Sequence, residues 1–124
     1  MANTFRVVTF AAEPASAGTA YTMYTVPSSP ATTTVLIGLR LANISGSTVT
    51  AEVELVSDTA TGVNAGAAAT NGTAFLIKDA PIPAGGALDV LGTSKVILQA
   101  TDVIKVDCSV ADQLSGTLSI MEIT

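Results

Sequence analysis

Hydrophobic and polar residues alternate along most of this chain at the two-residue period of a half-buried β-strand. The clearest case is residues 48–56. Val49, Ala51, Val53 and Leu55 point one way; Thr50, Glu52 and Glu54 point the other. Residues 34–43 alternate with both sets partly apolar: Val35, Ile37, Leu39 and Leu41 against Thr34, Leu36, Gly38 and Arg40. A strand covered on both faces reads that way, so this one is expected at the centre of a sheet. Ser45-Gly46 separates the two runs, which predicts a hairpin. Residues 20–26 set Tyr21, Met23 and Thr25 against Thr22, Tyr24 and Val26, and stop at Pro27-Ser-Ser-Pro30. Residues 103–109 set Ile104, Val106 and Cys108 against Val103, Lys105 and Asp107. Residues 117–123 set Leu118, Ile120 and Glu122 against Ser119, Met121 and Ile123. Shorter runs lie at 4–10, 73–78, 87–91 and 95–99.

Eight to nine short strands at roughly ten-residue spacing, without a convincing helix, predict an all-β fold. The expectation is one antiparallel β-sandwich over residues 1–124, jelly-roll or Ig-like, with residues 1–19 as an extended N-terminal arm. Within 75–91, Pro81 and Pro83 remove backbone donors, and Gly85-Gly86 permits a tight turn. Pairing is expected to stop at the prolines, where the chain crosses between sheets. Residues 58–72 are Ala, Gly, Thr and Asn with a single Val, and read as a long exposed loop.

Composition sharpens this picture. Hydrophobic residues make up 48% of the chain, but there are only three Phe, two Tyr and no Trp, so Val, Ile, Leu and Ala must fill the core. Cys108, the one cysteine, is expected there as a small hydrophobe. Charged residues are 12%, against about 25% in ordinary soluble domains, which suggests a surface partly covered in an assembly. The net charge of −5, with scattered cations, argues against nucleic acid. No apolar run approaches membrane-spanning length. The first residues lack a basic head followed by an apolar run, so synthesis in a cytoplasm is expected.

The chemistry is sparse. Histidine is absent, which removes the Ser-His-Asp and Cys-His arrangements and the commonest metal ligand. One cysteine cannot make a zinc site. There is no EF-hand loop and no phosphate-binding Gly-Lys-Ser/Thr. Glu52 and Glu54 read as a solvated strand face. Asn43 and Asn71 head Asn-x-Ser/Thr triplets and read as turn residues. Arg40, mid-strand, is expected to point outward or find an internal partner; an intersubunit ion pair is the alternative. Neither enzymatic activity nor a cofactor or metal is expected.

Several fragments carry a resemblance by their order: Leu39-Arg-Leu-Ala-Asn-Ile-Ser-Gly-Ser-Thr-Val-Thr-Ala-Glu-Val, Leu76-Ile-Lys-Asp-Ala-Pro-Ile-Pro-Ala-Gly-Gly-Ala-Leu, Lys95-Val-Ile-Leu-Gln-Ala-Thr-Asp-Val-Ile-Lys-Val and Leu118-Ser-Ile-Met-Glu-Ile. Over residues 33–124 the chain resembles small β-sandwich virion structural proteins of tailed bacteriophages. It departs from them in the length of the 58–72 loop, and in Ala100-Thr-Asp102, where a Gly-Asp turn is usual.

The resemblance implies a non-enzymatic virion protein made in the host cytoplasm, most simply a capsid decoration protein. Its partners would be the major capsid protein and its own copies, as a homo-oligomer, with a trimer expected. A neck or tail component is the nearest alternative. A carbohydrate- or receptor-binding sandwich using the 58–72 loop is the alternative from another class. The expected contact residues are Phe5, Val7 and Phe10, Tyr21 and Tyr24, and Val63 and Asn64 in the loop.

Overall fold

The computed structural model describes residues 2–59 and 71–124. In chain order the strands are β1 (Asn3–Glu13), β2 (Tyr21–Thr25), β3 (Thr33–Asn43), β4 (Val49–Val56), β5 (Thr73–Ile82), β6 (Ala87–Asp89), β7 (Val96–Leu98), β8 (Val103–Cys108) and β9 (Leu114–Ile123). All their pairings are antiparallel. The first sheet runs β1-β9-β3, with β6 and β7 both along the far side of β3; the second runs β2-β8-β4-β5. Consecutive strands lie in opposite sheets except β4 to β5 and β6 to β7. With β6 and β7 taken as one interrupted strand, this is the jelly-roll order, four strands to a sheet. The all-β antiparallel sandwich expected from the sequence is therefore the fold, in its jelly-roll form.

The inward rows meet in one core. Leu36, Leu39, Leu41, Leu98, Leu118 and Ile120 of the first sheet face Val53, Ile82, Ile104 and Val106 of the second, and all are essentially solvent-free. The alternation read for β4, β8 and β9 places these side chains as expected. Cys108 is buried among them as a free thiol.

Four expectations are corrected. First, β3 and β4 form no hairpin, because they lie in different sheets. The bend between them arches across the layers. Asn43, buried, accepts from the Ser45 N–H at its side-chain oxygen (2.9 Å). Its amide donates to the carbonyls of Ser47 (2.8 Å), Ile82 (2.9 Å) and Pro83 (3.2 Å). One side chain thus ties the arch to the Pro-rich crossing.

Second, β3 changes phase. A register irregularity between Leu36 and Gly38 leaves Ile37 unpaired, so Thr34 and Leu36 point inward before it, and Leu39, Leu41 and Asn43 after it. Third, pairing does not stop at Pro81. Pro81 and Ile82 continue β5 opposite Thr50 and Val49. β5 is an edge strand, where a missing donor on the open side costs the ladder nothing. The crossing to the first sheet follows, at residues 83–86.

Fourth, the N-terminal segment is no free arm. Asn3–Phe10 pairs with β9 in continuous register, and only residues 14–20 form a connecting loop. An alternating run beside a long antiparallel neighbour satisfies its backbone in a sheet.

Candidate functional site

The two outer faces of the sandwich differ in character. On the second sheet, cross-strand neighbours run Thr22, Lys105, Glu54 and Phe75, with Asp107 beside Glu52. Lys78 Nζ lies 3.0 Å from Glu52 Oε1 and 4.6 Å from the centre of the Phe75 ring. This face is charged, and Lys78 neutralises Glu52 on it.

The first sheet presents apolar side chains instead. Odd-numbered residues of β1 and β9 point away from the core, since their even-numbered neighbours Phe10, Leu118 and Ile120 are buried. The register sets Phe5 beside Met121, Met121 beside Val35, and Val35 beside Ile97. An unbroken row of four apolar side chains therefore crosses β1, β9, β3 and β7. Phe5 is 72% exposed and Ile97 67%, while Met121 and Val35 are half-buried between them. Val7, 64% exposed, and Ile123 flank the row. Covering Phe5, Val7 and Ile97 would each contribute ~1–2 kcal/mol.

Next to the row lies a shallow hollow of about 390 Å³, lined by Gly38, Leu39, Arg40, Asp89, Thr117 and Ser119. Its lining is small because Gly38 has no side chain and Thr117 and Ser119 are short. Arg40 and Asp89 are cross-strand partners at its rim, both exposed. The Arg40 guanidinium points outward, as one reading of the sequence had it.

Beneath the row, a polar network joins the two sheets. Arg6 Nε donates to Glu122 Oε1 at 2.6 Å, and the Tyr24 hydroxyl donates to Glu122 Oε2 at 2.7 Å. The Thr34 hydroxyl lies 2.7 Å from the Tyr24 oxygen. Glu122 is 9% exposed and Thr34 is fully buried. The Tyr24 bond, aided by Arg6 and opposed by burial, holds the Glu122 carboxyl below the usual carboxylate range. Burial pushes the Tyr24 phenol up to about 12; the bond to Glu122 and its charge add to this, and Thr34 and Arg6 oppose it.

Comparison of the chain with family models, with curated proteins and with solved structures gives no match. The residues themselves must carry the reading.

Of the contact residues expected from the sequence, Phe5 and Val7 stand on the apolar face. Phe10 lies in the core, its ring edge-on to Tyr21 at 5.2 Å between centroids. Tyr21 and Tyr24 are half-buried, and the Tyr24 hydroxyl turns inward to Glu122. Val63 and Asn64 lie outside the described residues. Sequence reasoning missed Val35, Ile97, Met121 and Ile123. The signal was present in β9, where Ser119, Met121 and Ile123 formed the set opposite the buried residues.

A second hollow, of about 350 Å³, is lined by Ala17, Gly18, Thr50, Glu52, Asp79, Asp107, Cys108 and Ser109. Two of its three acids, Asp107 and Glu52, are engaged. Asp107 Oδ1 accepts from the N–H groups of Cys108 (2.8 Å) and Gly18 (3.2 Å), and Glu52 holds Lys78. Among the described residues no group of three or more His, Cys, Asp or Glu is placed to hold a metal ion. What the apolar face can do is non-covalent: exclude water against a matching surface.

Proposed function

We propose that this chain is a structural protein of a bacteriophage particle, a capsid decoration protein that binds the shell and its own copies. The observation that carries the proposal is the exposed row Phe5–Met121–Val35–Ile97 on a rigid sheet, in a chain whose opposite face is charged. Exposed apolar patches on soluble proteins mark interaction sites. The order of sequence fragments that resembles phage virion proteins supplies the partner. The jelly roll is compatible, since it recurs in viral capsid proteins, but it also builds lectins and does not choose between them. Binding would be weak per copy and strong in sum, as many copies share one shell.

The test is co-sedimentation of the purified protein with shells assembled from the major capsid protein of the same phage. Saturable binding is expected, and loss of binding by Ile97→Asp with the fold retained. Absence of binding to those shells, or binding that Ile97→Asp leaves untouched, overturns the proposal; capture by tail tubes instead would move the protein to the neck or tail.

A further inference from the structure

Among the described residues four sheet edges are open, and three carry devices that discourage pairing with another chain. β6 and β7 are three residues each. β2 has five residues, a register irregularity between Thr22 and Tyr24, and Pro27 close behind. β5 carries Lys78, Pro81, two irregularities in its pairing and Asp79 at φ 51°. Short strands, bulges, lysines and prolines are how natural sheets blunt their edges.

β1 has none of these over Asn3–Phe10. It is continuous in register, without Pro or Lys. Its single charge there, Arg6, has a side chain 59% exposed that is paired with Glu122 of the neighbouring β9. The backbone of Ala2 exchanges two hydrogen bonds with that of Thr124 (3.1 and 3.0 Å). Bonded pairs alternate along an antiparallel ladder, so residues 4, 6, 8 and 10 also bond to β9. Asn3, Phe5, Val7 and Thr9 therefore turn their N–H and C=O groups to the open edge.

We propose that β1 pairs antiparallel with β1 of a second copy, about a two-fold axis at Phe5. Phe5 of one copy then faces Phe5 of the other, and Asn3 faces Val7, each pair exchanging two backbone hydrogen bonds. This register spans the exposed part of the strand, residues 2–7. It sets Arg6 opposite Thr4, whereas an axis at Arg6 would oppose two guanidinium groups. It also joins the two apolar rows end to end, from Ile97 of one copy to Ile97 of the other. The strand itself carries no net charge, since residues 2–13 hold only Arg6 and Glu13. The sandwich pair is two-fold, in place of the trimer expected from the sequence. Its contact is small beside the ~20 residues a side of a standard interface, so the pair is weak in dilute solution and is reinforced where copies are concentrated.

The test uses the purified protein alone and so does not depend on shell binding. Sedimentation velocity over a concentration series to the sub-millimolar range should show a monomer–dimer equilibrium. Val7→Pro removes an edge-facing donor along with the exposed Val7 side chain, spares the β9 ladder, and should give a monomer with an unchanged far-UV spectrum. On oxidation, Phe5→Cys should cross-link to a dimer, because the ~5.5 Å Cα spacing of a bonded pair lies within disulfide range. Thr9→Cys, on the same edge but outside the pairing, should not; Cys108 is buried. A wild-type monomer throughout, association that survives Val7→Pro, or Phe5→Cys cross-linking no better than Thr9→Cys overturns the pairing. A strict monomer that still co-sediments with shells overturns it while leaving the decoration proposal standing.

Discussion

Gly116→Ala is the substitution on which local propensity and packing disagree in sign. A glycine inside a strand costs roughly 0.5–1 kcal/mol relative to alanine, so propensity predicts a more stable protein. The structure predicts the reverse. Gly116 is the cross-strand partner of Phe10, whose ring lies over it. A Cβ on Gly116 would fall within 2.9 Å of three ring atoms, Cδ2, Cε2 and Cζ. The ring would have to leave a site in which it is 8% exposed and edge-on to Tyr21. Overpacking of this kind costs ~1–3 kcal/mol, and the lost aromatic contact adds ~0.5–1.5 kcal/mol. The net expectation is destabilisation by ~0.5–4 kcal/mol, after the propensity gain is subtracted. In a Phe10→Ala background, itself ~3–5 kcal/mol less stable, the clash is gone and Gly116→Ala should stabilise. Urea denaturation of the four proteins of this cycle, followed by circular dichroism, reads the coupling. A Gly116→Ala protein as stable as wild type, or an effect of the same sign in both backgrounds, would refute the packing argument.

Further expectations concern the polar ties. Glu122 has a depressed folded pKa, so its network contributes fully above the unfolded value of about 4.3 and is lost as pH falls through the folded value; Glu122→Gln should flatten the acid limb of a plot of Tm against pH. Tyr24 has a raised pKa, so its contribution is intact below about 10 and disappears between there and about 12; the alkaline limb should change in Tyr24→Phe. Asn43→Ala leaves the partners of a buried amide unpaired and should cost ~2–3 kcal/mol, and Asn43→Asp more, since a carboxylate would face three carbonyls; chemical denaturation measures both. Thr101 holds φ at 74°, a conformation that strains a β-branched residue, so Thr101→Gly should raise stability by ~1 kcal/mol.

Thr101 also shows how far the sequence could be read. Ala100-Thr-Asp102 stood out as a place where glycine is usual, and the structure puts Thr101 in the left-handed region glycine favours. The neighbouring Asp102 explains the turn. Its buried carboxylate accepts from the Ser57 hydroxyl (2.6 Å), the Gln99 N–H (2.9 Å) and the Thr59 hydroxyl (3.1 Å). Those partners lie up to 45 residues away, and no local pattern announces them. The phase of β4 and β8 was legible because only one of their two sets is strongly apolar; over residues 117–123, β9 has two large apolar residues in each set, and which set is buried is decided by the sheet around it. The phase of β3 was not: Val35, Leu36 and Ile37 are all apolar, so a bulge can shift the alternation without changing the pattern. The arch at 44–47 was read as a hairpin because both need the same bend, and only the partner of each strand tells them apart. The apolar row shares that limit. Its members come from four strands, and the register that aligns them is a property of the assembled sheet.

The adjacency of β1 and β9 has a consequence for synthesis. β1 leaves the ribosome before the strand it needs, which is made more than a hundred residues later. Until then β1 has no sheet to join, and the row that runs from Phe5 through Met121 does not exist. Contacts so distant in sequence slow folding. They also act as a checkpoint: a nascent or truncated chain lacking β9 cannot display the row, so only chains that reach β9 present that apolar surface.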